Sequence, residues 1–257
     1  FVAVFHWGIA GAAYATIFAQ YVSGIGILLY VLFRCRSLLP ERKDLRFDGG
    51  ILKEIAGLSS LTCLQQSVMN FGILMVQGLV NSLGATTMAA FAAAVKIDTF
   101  AYLPVQDFGN AYSTFVAQNY GAGNKERIRR GTKESFAIST AFSLVISALV
   151  FAFAAPLMQI FVSSAETAVI ASGVRYLRIE GAFYFGIGCL FLLYGYYRAI
   201  KRAEMSVVLT VISLGIRVLL AYVLSATSLG ETGIWMAIPI GWILADLTGL
   251  LYMRKTW

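Results

Sequence analysis

The sequence predicts an all-α integral membrane protein, a polytopic helical bundle with seven transmembrane helices. Three observations carry that prediction. Apolar residues make up 59% of the chain and charged residues 13%, where soluble domains have about 25% charged. Several long runs hold no charge, and a helix needs about 20 apolar residues to cross the hydrocarbon core. The basic residues collect on alternate connections between those runs. The runs are continuous, without the alternation of a membrane β-barrel, and helices satisfy their own backbone in lipid.

Residues 11–33 hold no charge and form the first span. The uncharged run 55–95 is divided by the turn "NSLGAT" at 81–86, which predicts spans at 57–81 and 86–119. Residues 135–165 and 181–197 are uncharged and anchor spans at 125–154 and 167–199. Residues 205–230 carry only Arg217, and 232–253 only Asp246; they predict spans at 204–227 and 231–254. Residues 1–7 read as the outer end of an earlier helix. The connection 34–56 is the longest. Within it "RFDGGILKEIAGL" (46–58) reads as a short amphipathic helix on the membrane surface, N-capped by Asp48. The chain therefore divides into 1–33, the tail of an N-terminal bundle; 34–56, a cytoplasmic linker; and 57–257, a six-helix bundle.

Orientation follows from charge. The 34–54, 120–134 and 198–204 segments and the C-terminus hold 16 of the 20 Lys and Arg residues. The opposite connections, 1–10, 81–86, 155–166 and 228–232, hold none. The basic side is expected to be cytoplasmic, with the C-terminus inside a bacterial plasma membrane. The net charge of +7 then meets anionic lipid and needs no nucleic-acid partner. Cys35, Cys63 and Cys189 have no metal-ligand spacing. One histidine, His6, and scattered acids do not make an enzyme's cluster, so neither catalytic residues nor a metal is expected.

A repeat supplies the architecture. "GIAGAAYA" (8–15) and "GETGIWMA" (230–237) share Gly8/Gly230, Gly11/Gly233 and Ala15/Ala237, each at an offset of 222. Both stretches lead from the outer side into a span ending in basic residues. The expected parent is two parallel six-helix bundles, of which this chain holds one and part of the other. The other bundle would be its partner.

"GIAGAAYATIFAQ", "NSLGATTMAAFAAAVKID", "FGNAYSTFVAQNYGAGNKERIRRG" and "GIWMAIPIGWILADLTG" resemble the multidrug and toxic compound extrusion (MATE) family, in its DinF-like branch. The resemblance covers nearly the whole chain, from the end of the fifth helix to the twelfth. It implies a secondary antiporter that exports organic, often cationic, compounds in exchange for H⁺ or Na⁺, with no cofactor beyond the coupling ion. Members with a sodium site carry a Glu on the seventh helix and an Asp on the tenth. Here 55–95 holds no acid, and the tenth helix offers Glu180. The first-helix aspartate of the DinF-like branch lies outside the helices of this chain.

Ionisable groups inside spans are costly and mark function by default. Asp98, Glu180 and Arg217 lie about 12, 14 and 11 residues from the outer ends of their helices, which at ~1.5 Å per residue puts them at one depth. Asp98, Glu180 and Asp107 are candidates to load a proton or bind Na⁺; the alternative is an ion-pair set through Arg217 that pins helices. Arg217 and Asp246 read as structural. Gln66, Asn70 and Gln77 form an amide stripe that either lines a cavity or joins helices. Tyr102, with Phe183, Tyr184 and Phe185, could hold a cation by its ring. Pro104 removes a backbone donor and is expected to kink or unwind the span as a hinge. Alternatives to the antiporter are a lipid or polysaccharide-precursor flippase, favoured by a basic cavity, and a seven-helix receptor.

Overall fold

The computed structural model describes residues 4–36, 39 and 47–256. Among them are eight α-helices and no strand. The chain forms two units, 1–53 and 54–257. Much of the predicted linker, including Arg42, Lys43 and Arg46, lies outside the described residues, as do residues 1–3 of the earlier helix.

The first unit holds α1 (Gly8–Arg34). Only Gly11 of this helix is buried. Its apolar side chains are mostly exposed among the described residues. Trp7 meets Tyr14 edge to ring at 6.1 Å.

Helix α2 (Gly49–Ser82) crosses the division between the units. Asp48 caps it as expected, accepting from the backbone N–H groups of Gly50 at 2.8 Å and Ile51 at 3.2 Å. The amphipathic stretch is not a separate surface helix, however. One helix continues through Gly57, Ser59 and Ser60 to Ser82, and the Ser60 hydroxyl turns back to the Ala56 carbonyl at 2.7 Å instead of opening a turn.

The second unit adds α3 (Ala85–Gly121), α4 (Lys125–Gln159), α5 (Thr167–Gly181), α6 (Tyr184–Ala199), α7 (Ala203–Ser225) and α8 (Glu231–Thr256). Gly84 turns α2 into α3 with φ +106°, a conformation that suits glycine. Gly123 does the same between α3 and α4 at φ +69°, and the Asn124 side chain then caps α4 by accepting from the Arg127 N–H at 3.1 Å.

The predicted span 167–199 is broken. α5 and α6 meet at Ala182–Phe183 with a bend of 51°. Phe183 N–H bonds the Glu180 carbonyl at 2.9 Å, which tightens the last turn of α5 and ends it. The two halves count as one crossing, so the described residues hold seven candidate spans by length and composition.

Pro104 and Pro156 differ in their local backbone. α3 runs as helix through Pro104. The interruption is in α4 at Phe153 (φ −104°, ψ 17°), three residues before Pro156, where the proline ring crowds the preceding turn.

Helices pack here by close approach, since lipid supplies little hydrophobic force between them. A Cβ placed on Gly195 of α6 would sit 2.6 Å from the Gly109 carbonyl oxygen of α3. One on Gly241 of α8 would sit 2.3 Å from the Ser213 carbonyl oxygen of α7. These glycines bring the backbones of α3 and α6, and of α7 and α8, into direct contact. The core they close is aromatic: Trp235, Tyr176 and Tyr197 are almost wholly buried.

Candidate functional site

A cavity of about 420 Å³ opens in the second unit among α2, α3, α5, α6, α7 and α8. Its wall is mostly apolar, including Met69, Ile73, Phe91, Ile187, Leu214 and Trp242. Its charged lining is Lys96, Asp98, Glu180 and Arg217. The three residues that the sequence put at one depth thus face one space.

Asp98 is 5% exposed and Glu180 6%. Tyr184, on the first turn of α6, donates its hydroxyl to Asp98 Oδ1 in a short contact. Asp98 Oδ2 and Glu180 Oε2 are buried with no hydrogen-bond partner. Arg217 Nε is also buried and unpartnered. No ion pair forms between Arg217 and either acid, although all three lie within each other's electrostatic reach. The static ion-pair alternative is therefore not what this arrangement shows.

Tyr176 was missed. It precedes Glu180 by one turn on α5, is 2% exposed, and faces both carboxylates. The i, i+4 spacing to a buried acid was the available signal. Tyr102 lines the cavity with its ring stacked on Phe191 at 6.4 Å. Of the other aromatic candidates only Tyr184 reaches the cavity; Phe183 and Phe185 pack on each other at 6.1 Å.

Three of the other candidates lie outside this cavity. Asp107 is exposed and takes no part in the cavity. Nine residues separate it from Asp98, two and a half turns, which puts it on the opposite face of α3. The amide stripe also divides. Gln77 lines the cavity, but Gln66 and Asn70 are exposed and do not, and the buried amide is Gln65 at 5% exposure.

Arg217, read as structural, belongs to the cavity wall. Asp246 does not. It is 8% exposed, lies against Cys189 on α6, and has an unpartnered Oδ1.

The end of the bundle poor in basic residues is closed above this site. Glu231, at the start of α8, accepts from Thr87 of α3 at 3.1 Å and from Ser172 of α5 at 2.8 Å. Arg175 reaches its other oxygen at 3.3 Å. Phe91 is stacked on Trp235 at 5.5 Å, and Tyr176 meets both edge to ring at 5.6 and 4.9 Å.

Comparison with known proteins places this geometry. Residues 62–223 match the MatE family. The chain is 31% identical over 256 residues to the probable multidrug resistance protein YpnP of Bacillus subtilis, covering 99% of this chain and 56% of that protein. It is 26% identical over 247 residues to the probable multidrug resistance protein NorM of Thermotoga maritima, covering 95% and 53%. The chain thus spans about half the length of the curated relatives it matches. Its fold superimposes with a TM-score of 0.90 on an outward-facing multidrug resistance MATE family transporter of the MOP superfamily, at 24% identity over 100% of this chain and 58% of that one.

Proposed function

The chain belongs to the MatE family, a family of multi-pass membrane transporters, and from that premise we propose that it serves as one bundle of a secondary multidrug antiporter. That transporter exports organic, often cationic, compounds across a bacterial plasma membrane in exchange for H⁺ or Na⁺, with its C-terminus cytoplasmic. It uses no cofactor beyond the coupling ion. The 53–56% coverage of the relatives supports placing the transport activity in a longer, two-bundle protein.

One observation carries the reading. Two buried carboxylates, Asp98 and Glu180, each present an unpartnered oxygen on one apolar cavity. Arg217, half-buried with its Nε buried and unpartnered, lies near them without forming an ion pair. Lys96 lines the cavity too but is exposed; the two buried acids against Arg217 leave one negative charge to balance in apolar surroundings. A proton or a small cation supplies that balance, and so does a cationic substrate, which the aromatic wall also suits. Competition between ion and substrate for the same pair of acids is then the exchange step.

A second reading has its own observation. Lys96 and Arg217 line the same cavity, which suits an anionic head group and hence a flippase.

The test is efflux of a fluorescent organic cation from vesicles holding the full-length transporter, under imposed H⁺ or Na⁺ gradients. Asp98→Asn and Glu180→Gln are expected to abolish gradient-driven efflux. Efflux unchanged in both variants would remove coupling from this bundle. No efflux of the cation under either gradient, with transport of an anionic lipid analogue instead, would select the flippase.

A further inference from the structure

We propose a second binding site, for a phosphate-bearing anion, on the basic face of the bundle. A cavity of about 670 Å³ lies where the α3–α4 turn, the α6–α7 turn and the last turn of α8 meet. Four cations line it: Lys125 and Arg129 of α4, Arg202 at the start of α7, and Lys255 of α8. One acid, Glu126, lines it too, so the lining carries a net charge of four minus one, or +3.

The neighbouring cations on this face have partners. Arg130 pairs with Glu134 at 2.9 Å, Lys201 pairs with Glu54, and Arg127 lies over the Phe115 ring at 5.7 Å. None of the four in the cavity pairs with an acid among the described residues. Among the described residues Lys125, Arg129 and Lys255 form no ion pair, and Arg202 meets only a neutral group. Its Nη1 donates to the Tyr252 hydroxyl at 2.5 Å. That bond fixes the guanidinium at the cavity wall and leaves its other donors free.

The site comes from three helices distant in sequence, so the convergence is tertiary and not a run of basic residues. Fixed guanidinium forks and nearby ammonium groups match the oxygens of a phosphate. The cavity is large enough for a head group. Anionic lipid at the membrane surface and a soluble phosphate ester share that chemistry. The proposal does not rest on the transport reading.

Native mass spectrometry of the full-length protein released from nanodiscs of phosphatidylglycerol and phosphatidylcholine tests it. The wild type is expected to retain phosphatidylglycerol in preference. Arg129→Gln with Arg202→Gln is expected to lower that retention at least about tenfold, the effect of 1.4 kcal/mol. Lys125→Gln with Lys255→Gln, at other positions on α4 and α8, is expected to lower it as well and guards against misfolding of the first pair. Arg127→Gln with Arg130→Gln removes the same charge from the same face outside the cavity and is expected to leave retention intact. Equal loss in the control pair would show a diffuse field and overturn the site, as would no lipid preference in the wild type together with no retention of inorganic phosphate. Displacement of the lipid by millimolar inorganic phosphate would assign the site to a soluble phosphate ester; resistance to it would assign a lipid head group.

Discussion

Tyr184 of α6 donates its hydroxyl to Asp98 of α3 across the buried centre of the bundle. The bond joins the second half of the broken span to the helix that carries the candidate acid. It also satisfies one of the two oxygens of Asp98, the other having no partner. Tyr184→Phe keeps the ring and removes the donor. A buried carboxylate oxygen left unpaired costs about 1–3 kcal/mol. Thermal unfolding in detergent is expected to show a lower midpoint for this variant, and a midpoint equal to the wild type would show that the bond is not formed in the membrane protein.

Asp107 provides the contrast. It is on the same helix as Asp98 but exposed on the opposite face. Asp107→Asn is expected to leave gradient-driven efflux at the wild-type rate while Asp98→Asn abolishes it, and to change stability by no more than ~0.5 kcal/mol. Loss of efflux in Asp107→Asn, measured in the same vesicles, would contradict the division of the two acids by helix face.

Gly195 and Gly215 test the packing. A methyl group on Gly195 meets the Gly109 carbonyl oxygen at 2.6 Å, and backbone cannot swing aside. Gly195→Ala is expected to destabilise by about 1–3 kcal/mol as an overpacked contact. Gly215 has nothing within 4 Å of such a methyl, so Gly215→Ala is expected to stabilise α7 by about 0.4–1 kcal/mol. Opposite shifts of the unfolding midpoint distinguish the two; shifts of the same sign would refute the close approach of α3 and α6.

Glu231 ties three helices at one end of the bundle through Thr87, Ser172 and Arg175. Glu231→Ala strips the acceptor from all three. Arg175 is 54% exposed, so water compensates it and its share is small. The two hydroxyl bonds set the cost at about 1–3 kcal/mol. Hydrogen exchange in the first turns of α3, α5 and α8 is expected to quicken together. Faster exchange in α8 alone would mean the three ends are not coupled.

Much of the fold was legible because charge and membrane thickness constrain it from two sides. Uncharged runs located the spans, and the helix α3, expected at 86–119, is Ala85–Gly121. The break at Ala182–Phe183 was not legible. No proline marks it, and "EGAFYFGIG" stays uniformly apolar after Glu180, so the hydropathy that finds a span runs straight across it. Pro104 shows the reverse, a helix-breaking residue type inside a continuous helix. It is on the exposed side of α3, where the helix runs on through the ring.

The site was half legible. Depth counting brought Asp98, Glu180 and Arg217 to one cavity because rise per residue is fixed. Rotation about the axis was less well used. The 100° step per residue already places Asp107 half a turn from Asp98. Gln66 and Asn70 failed for a different reason: periodicity shows that two residues share a face but not which face points inward, and on α2 the buried stripe runs through Gln65, Gly72, Val76 and Val80.

The 51° bend between α5 and α6 has a mechanical consequence. Glu180 ends the first arm and Tyr184 begins the second, with Asp98 fastened to the second arm by the tyrosine hydroxyl. The two acids therefore ride on opposite sides of an elbow. A rotation at this one backbone joint would change the spacing of the carboxylates, and with it how tightly the pair can grip a positive charge.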